Sequence, residues 1–320
     1  MQPFTDAEVE NAQAVVYAAM PPTPQYAWPL LAQRLGAEVW LKHENHTPVG
    51  AFKLRGGLVY MHQLRRLGLG GAGVISATRG NHGQSIALAA RREGVPATIV
   101  VPLGNSVEKN AAMRALGATL VEHGQDFQQS REHAAALAEQ HGLHFVPSFH
   151  RDLVLGVATG WIEFFRAVQP DLVFVPIGQG SGIAACAMAR AFTGVKTRIL
   201  GVVSAHATAY LDSFRAGHAV SAPVSTVLAD GMACRVPDAD SLALILREVD
   251  EVIAVSDDEV AHAMRVLFSD THNVAEGAGA ASLAAALQQR DRLQGQAVGL
   301  TLCGGNVDRE LFAKVLAGAP

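Results

Sequence analysis

Leu172-Val173-Phe174-Val175 leads through Gly178-Gln179-Gly180-Ser181-Gly182 into the small-residue stretch Ile183 to Phe192. The first run is short, apolar and rich in valine, as a buried strand is, and the last is alanine-rich and long enough for a helix. A strand that turns over glycines into a helix is the repeating unit of an α/β fold. The same alternation extends outward in both directions. Strand-like runs lie at Glu38 to Lys42, Gly73 to Ser76, Ala97 to Val101, Ile199 to Val203 and Ala297 to Leu302. Helical stretches lie at Gln84 to Glu93, Ser106 to Leu116, Phe127 to His141, Ser256 to Phe268 and Ala280 to Arg290. The pattern predicts an α/β chain of two intertwined domains with mostly parallel, twisted sheets flanked by helices. Residues 50–148 are expected to form the small domain, set into a large one made of 1–49 and 149–320.

Composition narrows the function. The chain has 320 residues, of which 49% are hydrophobic and 17% charged, so it has ample material for a core and is not a disordered chain. Its 25 basic and 29 acidic side chains give a formal charge of −4, without the basic field that dominates nucleic-acid binding. Cys186, Cys234 and Cys303 are far apart and form no C-x-x-C pair, which suggests a reducing cytoplasm rather than a disulfide framework or thiolate metal site. No uncharged apolar run approaches the roughly 18 residues of a membrane span. Thr5-Asp6-Ala7-Glu8 reads as a helix capping box and carries acid where a signal peptide carries base. None of the thirteen histidines makes the H-E-x-x-H pattern of a zinc hydrolase, so no metal is expected from them. The expected partner is a small molecule.

Four loops carry chemistry-bearing residues. In His46 to Gly57, Lys53 stands where a glycine-containing turn passes into an amphipathic helix. A lysine desolvated there loses its proton readily and attacks carbonyls, although a lone lysine is more often simply solvated. Thr78-Arg79-Gly80-Asn81-His82-Gly83-Gln84 follows a strand and opens a helix, where backbone N–H groups and the Thr78 hydroxyl suit a carboxylate; a plain cap and turn uses the same residues. Gly178 to Ile183 offers side-chain-free backbone, a hydroxyl and a helix N-terminus, the components of a phosphate cradle. A dinucleotide fingerprint fails there, because G-x-G-x-x-G requires glycine where Ile183 stands, and no Walker lysine is present. Thr301 to Asp308 puts Cys303 at a strand end, where a thiol either packs or faces an aromatic nitrogen without protonating it.

In this order the loops resemble the serine/threonine dehydratase family, pyridoxal-phosphate enzymes of fold type II, the tryptophan synthase β-like group that also contains serine racemase. Phe52-Lys53-Leu54-Arg55-Gly56 is similar to the family's Schiff-base motif, Gly80-Asn81-His82 to its asparagine loop, and Cys303-Gly304-Gly305-Asn306 to its C-terminal S/C-G-G-N. Ala229-Asp230-Gly231, Ala275 to Ala280, and Gly156 to Thr159 with Glu163 add weaker support. The resemblance implies that pyridoxal 5'-phosphate is held on Lys53 as an imine, with Phe52 packed beside it and Asn81 bonded to its phenolic oxygen. It implies that Gly178, Gln179, Gly180, Ser181 and Gly182 surround the phosphate, that Cys303 with Gly304 meets the pyridine nitrogen, and that Thr78, Arg79, Gly80, Asn81 and His82 receive an amino-acid substrate. It further implies a homodimer and an ammonia-lyase that eliminates water from a 3-hydroxy amino acid. A serine racemase-like or β-replacement enzyme is the alternative within the group; a non-catalytic phosphometabolite-binding module is the alternative outside it.

Departures from the family pattern bear on the substrate. Gln179 interrupts the glycine-rich loop. Arg79 stands where relatives carry a small residue and where serine racemase carries its second acid/base serine, which argues against racemisation and puts plain serine or threonine as substrate in doubt. Gly156-Val157-Ala158-Thr159 and Ser148-Phe149-His150 make a more apolar wall, which admits a bulky β-substituent as in 3-phenylserine. Ser204, Thr208 and Tyr210 replace acidic ligands of metal-dependent relatives, so no divalent cation is expected there.

Overall fold

A computed structural model describes residues 1–318. Ten strands form two sheets: β1 Gln25–Ala27, β2 Glu38–His43, β3 Val74–Ala77, β4 Ala97–Val101, β5 Thr119–Glu122, β6 His144–Phe145, β7 Leu172–Pro176, β8 Arg198–Ser204, β9 Glu251–Val255 and β10 Ala297–Leu302. The larger sheet has the order β1-β2-β10-β7-β8-β9 and the smaller β5-β4-β3-β6. Every pairing is parallel except that of β1 with β2. Parallel strands need helices on both faces, and this is why β3, β7 and β8 are buried almost throughout and read as continuous apolar runs.

The two ends of the chain meet in the larger sheet. β10 lies between β2 and β7, with Ala297 opposite Glu38 and Leu302 opposite His43. That register brings Cys303, just past β10, to the same edge as the residues following β2. The carboxyl ends of β3, β7 and β10 all open toward one cleft, where α/β proteins place their ligands.

The helix Lys53–Arg66 packs along the helix Arg151–Ala167, and the backbones touch. A Cβ at Gly156 would collide with the carbonyl of Arg55, so only glycine permits this approach. Around the contact lies a buried charge network. The fully buried Arg55 donates to both carboxylate oxygens of Glu44 at 2.8 and 3.0 Å and to both of Glu163 at 2.7 and 2.9 Å. Lys42 donates to Glu163 at 2.7 Å, to the Thr23 carbonyl and to Gln25. Two cations meet two carboxylates and the donors are met, the condition under which buried ions are tolerated. The start of the Lys53 helix is thereby fixed to β2 and to the helix Arg151–Ala167.

The structure adds elements that the periodicity does not announce. β6 has two residues, and β5 is only partly buried, so neither presents an apolar run. β1 and β9 are also additional, as is the 17-residue helix Arg151–Ala167. Three expected helices begin earlier, as Asn81–Arg92, Ser181–Thr193 and Gly277–Gln288. Their first turns contain glycines of low helix propensity, which tertiary packing holds helical. At the N-terminus the expected capping box is present: Thr5 accepts from the Glu8 amide and Glu8 accepts from the Thr5 amide.

Candidate active site

Hydrogen bonds between the loops assemble the cleft. The Phe52 amide donates to the Cys303 carbonyl at 2.9 Å, the Gly305 amide to the Gly50 carbonyl at 2.9 Å, and Ala51 bridges Gly304. Asn306 donates from its side chain to the Val49 carbonyl and to Asn81 Oδ1, each at 2.8 Å. The first, second and fourth loops are therefore one unit, and the third closes it from the end of β7.

Lys53 is the first residue of its helix and its half-buried side chain enters the cleft. Its Nζ lies 4.9 Å from the centre of the Phe52 ring and donates to Ser181 Oγ at 2.6 Å. Burial pulls the amine down to about 8, far enough to supply the free base at neutral to mildly alkaline pH. On the other side Cys303 is buried and donates weakly to the Ala278 carbonyl. Burial pushes its thiol above the ordinary value, so it stands as a neutral SH.

Gly180 adopts φ +90°, a left-handed conformation, and a Cβ there would also strike Ser241 Oγ. The turn aims the first amides of the helix Ser181–Thr193 into the cleft, leaving them free for an anion. The Gln179 side chain turns away, donating to Cys234 Sγ at 3.4 Å, while its carbonyl accepts from Tyr210 at 3.2 Å. Gly178 and Gly182 line the same wall.

Opposite, Thr78 Oγ1 accepts from the Gly80 amide at 2.9 Å and the Gly83 amide at 3.3 Å, so its own proton remains to be donated. Asn81 donates to Glu276 Oε1 at 2.5 Å and keeps a second amide proton. His82 is buried, and burial with the charge of Lys53 takes its ring down to about 3, so it is neutral. Its Nε2 has no hydrogen-bond partner among the described residues, and neither does the buried Nε of Arg79. All the residues selected from the sequence for cofactor and substrate except Gly304 line one cleft of about 880 Å³ including its mouth; of the expected apolar wall, Ser148 lines it but Phe149, His150 and Gly156 to Thr159 do not. Gly304 lies behind the wall, where its carbonyl accepts from the Glu276 amide.

The sequence reading overlooks Lys109 as a site residue. Its Nζ donates to Asp230 Oδ2 at 2.7 Å and lies 3.4 Å from Glu276 Oε2, so three charged groups from distant segments border the cleft. Burial disfavours the ammonium, but Glu276 and Asp230 outweigh it and hold Lys109 above its usual value. Asp230 and Glu276 lie in segments that gave weaker support; nothing in the spacing of Lys109 signals its position. Ser204, Thr208 and Tyr210 are bonded to the His206 amide, Asp212 and the Gln179 carbonyl. Among the described residues no group of three or more His, Cys, Asp or Glu is arranged to hold a metal.

A base-poised lysine, a helix-end anion cradle and a neutral thiol on one cleft are the parts that pyridoxal phosphate needs, and the match to known proteins agrees. The family model of the pyridoxal-phosphate dependent enzymes matches residues 16–304. The chain belongs to this family. An L-threonine ammonia-lyase of Geobacter sulfurreducens is 37% identical over 289 residues, covering 89% of this chain and 71% of the relative. An L-threo-3-hydroxyaspartate ammonia-lyase of Saccharomyces cerevisiae is 33% identical over 301 residues, covering 92% and 91%. The solved threonine deaminase isoform 2 of Solanum lycopersicum superposes with a TM-score of 0.87 at 29% identity, over 99% of this chain and 95% of that one. The architecture is that of fold type II pyridoxal-phosphate enzymes, and the cofactor is pyridoxal 5'-phosphate.

Proposed function

We propose that the chain is an ammonia-lyase that removes water from a 3-hydroxy amino acid and releases a 2-oxo acid and ammonia. The observation that carries this is the Lys53 amine, half-buried and poised near neutrality between the Ser181 hydroxyl and the neutral Cys303 thiol. The identities of the relatives support it across nine-tenths of the chain.

When bound, pyridoxal phosphate supplies an electron sink conjugated to the substrate's α-carbon. The chain's residues do the rest. The free amides at the start of the helix Ser181–Thr193 would hold the phosphate. Asn81 would donate its remaining amide proton to the phenolic oxygen, and Phe52 would pack against the ring. Cys303, a neutral thiol, would stand toward the ring nitrogen without protonating it, which would restrain the sink and favour prompt loss of a β-substituent. Thr78 Oγ–H and the helix-start amides of Asn81 and His82 receive the α-carboxylate. Lys53 Nζ, which burial holds near the free base, would take the α-proton. The β-hydroxyl leaves with a proton as water; hydrolysis of the resulting enamine then yields the 2-oxo acid and ammonia.

This reading divides the chain into a small domain at 50–148 and a large one at 1–49 and 149–320, with the site between them; the separation of the strands into two sheets supports it. It carries a homodimer in the cytoplasm with no nucleic-acid partner. The acidic balance and three buried free thiols favour those surroundings. No helix among the described residues is long and apolar enough to cross a membrane.

Purified protein should show the visible absorbance of a lysine-bound cofactor and form 2-oxo acid from a panel of serine, threonine, 3-phenylserine and 3-hydroxyaspartate. Lys53→Ala should lose both, whereas full turnover by that variant defeats the assignment. Chiral analysis of recovered substrate separates a racemase, which returns the antipode rather than ammonia.

A further inference from the structure

The geometry points to Arg79 as the residue that selects the substrate, and to a 3-hydroxy amino acid bearing a second carboxylate on its β-carbon as the class selected. This rests on the ammonia-lyase reading and specifies it.

Three cations border the cleft: Lys53, Arg79 and Lys109. Lys109 is neutralised by Asp230 and Glu276, and Lys53 is committed to the cofactor. Arg79, like Lys53, has no carboxylate partner among the described residues, and unlike Lys53, which donates to Ser181, its buried Nε has no acceptor. A buried donor left unpaired is costly, so this guanidinium is arranged for an anion that arrives from outside.

The other anions expected here have donors already. The phosphate has the cradle at Gly180-Ser181-Gly182. The α-carboxylate has the Thr78 hydroxyl, whose oxygen is occupied by two amides while its proton is free, and the uncommitted first amides of the helix Asn81–Arg92. What these leave unserved is the β-carbon side of the substrate. Arg79 sits between Thr78 and Gly80, so a substrate held by its α-carboxylate lies beside it. A guanidinium presents a planar fork of donors that matches a carboxylate in two parallel bonds, which neither a hydroxyl nor an aromatic ring provides. A dicarboxylic substrate of the 3-hydroxyaspartate type is therefore favoured over threonine and over 3-phenylserine.

The holoenzyme tests this by the ratio of kcat/KM for L-threo-3-hydroxyaspartate to that for threonine. The ratio should exceed unity in the native protein and fall by about 100-fold in Arg79→Ser, the usual scale for a lost charge-assisted bond pair. Arg79→Lys, which keeps charge without the fork, should lie between and provides the reading if the serine variant does not fold. Binding of malonate, an unreactive dianion, followed by titration calorimetry, should weaken in both variants, more in Arg79→Ser than in Arg79→Lys. An unchanged ratio, or a native preference for 3-phenylserine, overturns the proposal. Arg79-dependent malonate binding without 2-oxo acid from any substrate would uphold the anion site and defeat the lyase reading instead.

Discussion

Lys53 Nζ and Ser181 Oγ meet at 2.6 Å although 128 residues separate them. The contact joins the lysine proposed to carry the cofactor to the first residue of the helix proposed to hold its phosphate, so the two anchoring points are set against each other in the folded chain. It also places the amine in a half-buried setting that favours its neutral form.

A pH dependence follows. Only the free amine attacks an aldehyde, so the rate at which apoprotein takes up pyridoxal phosphate should rise from pH 7 and level off above about 8, the value to which burial takes Lys53. The native value lies below the ordinary 10.5, so between the two the unfolded chain binds more protons and apoprotein stability should rise with pH through that window. Stopped-flow absorbance and urea titrations at stepped pH measure both; a flat uptake rate from pH 7 to 9 contradicts the first.

Arg55 should be among the most costly positions to change. Arg55→Ala leaves Glu44 and Glu163 buried with fewer counter-charges, and the loss expected for breaking such a network is about 3–5 kcal/mol. Arg55→Lys keeps charge without the fork and should lose less. Urea unfolding monitored by tryptophan fluorescence gives the values, and a loss below 1 kcal/mol for the alanine variant would count against the network as a fastening.

Lys109→Met should weaken cofactor binding by about tenfold, because Asp230 and Glu276 then face each other without their shared cation and Glu276 no longer steadies Asn81. Absorbance titration of the apoprotein reports it. An unchanged dissociation constant would mean that the cation steadies nothing at the asparagine loop.

Cys303→Asp should alter the outcome of the reaction more than its speed. An acid opposite the pyridine nitrogen keeps that atom protonated and deepens the electron sink, so exchange of the α-proton with solvent should increase relative to 2-oxo acid formation. Cys303→Ser, also neutral, should preserve the native ratio. Deuterium incorporation into recovered substrate measures it, and identical ratios in the two variants would remove the thiol from this role.

The strand-to-helix units were legible because glycine punctuates them. Gly80 and Gly180 mark turns that few other residues form, and the apolar runs of β3, β4, β7 and β10 have no competing pattern. The cluster at Lys109 was not legible, since a lysine in a polar helix looks like any solvated lysine until Asp230 and Glu276 are brought to it from 121 and 167 residues away in the chain. β5 and β6 escaped for a related reason: partners rather than their own residues make them strands. The orientation of Gln179 was equally a tertiary matter, decided by Cys234.

The strand between β2 and β7 is the last of the ten to leave the ribosome. Until residue 303 has emerged, the nascent polypeptide has a gap in the middle of its larger sheet, and the cleft lacks the wall that Cys303 supplies.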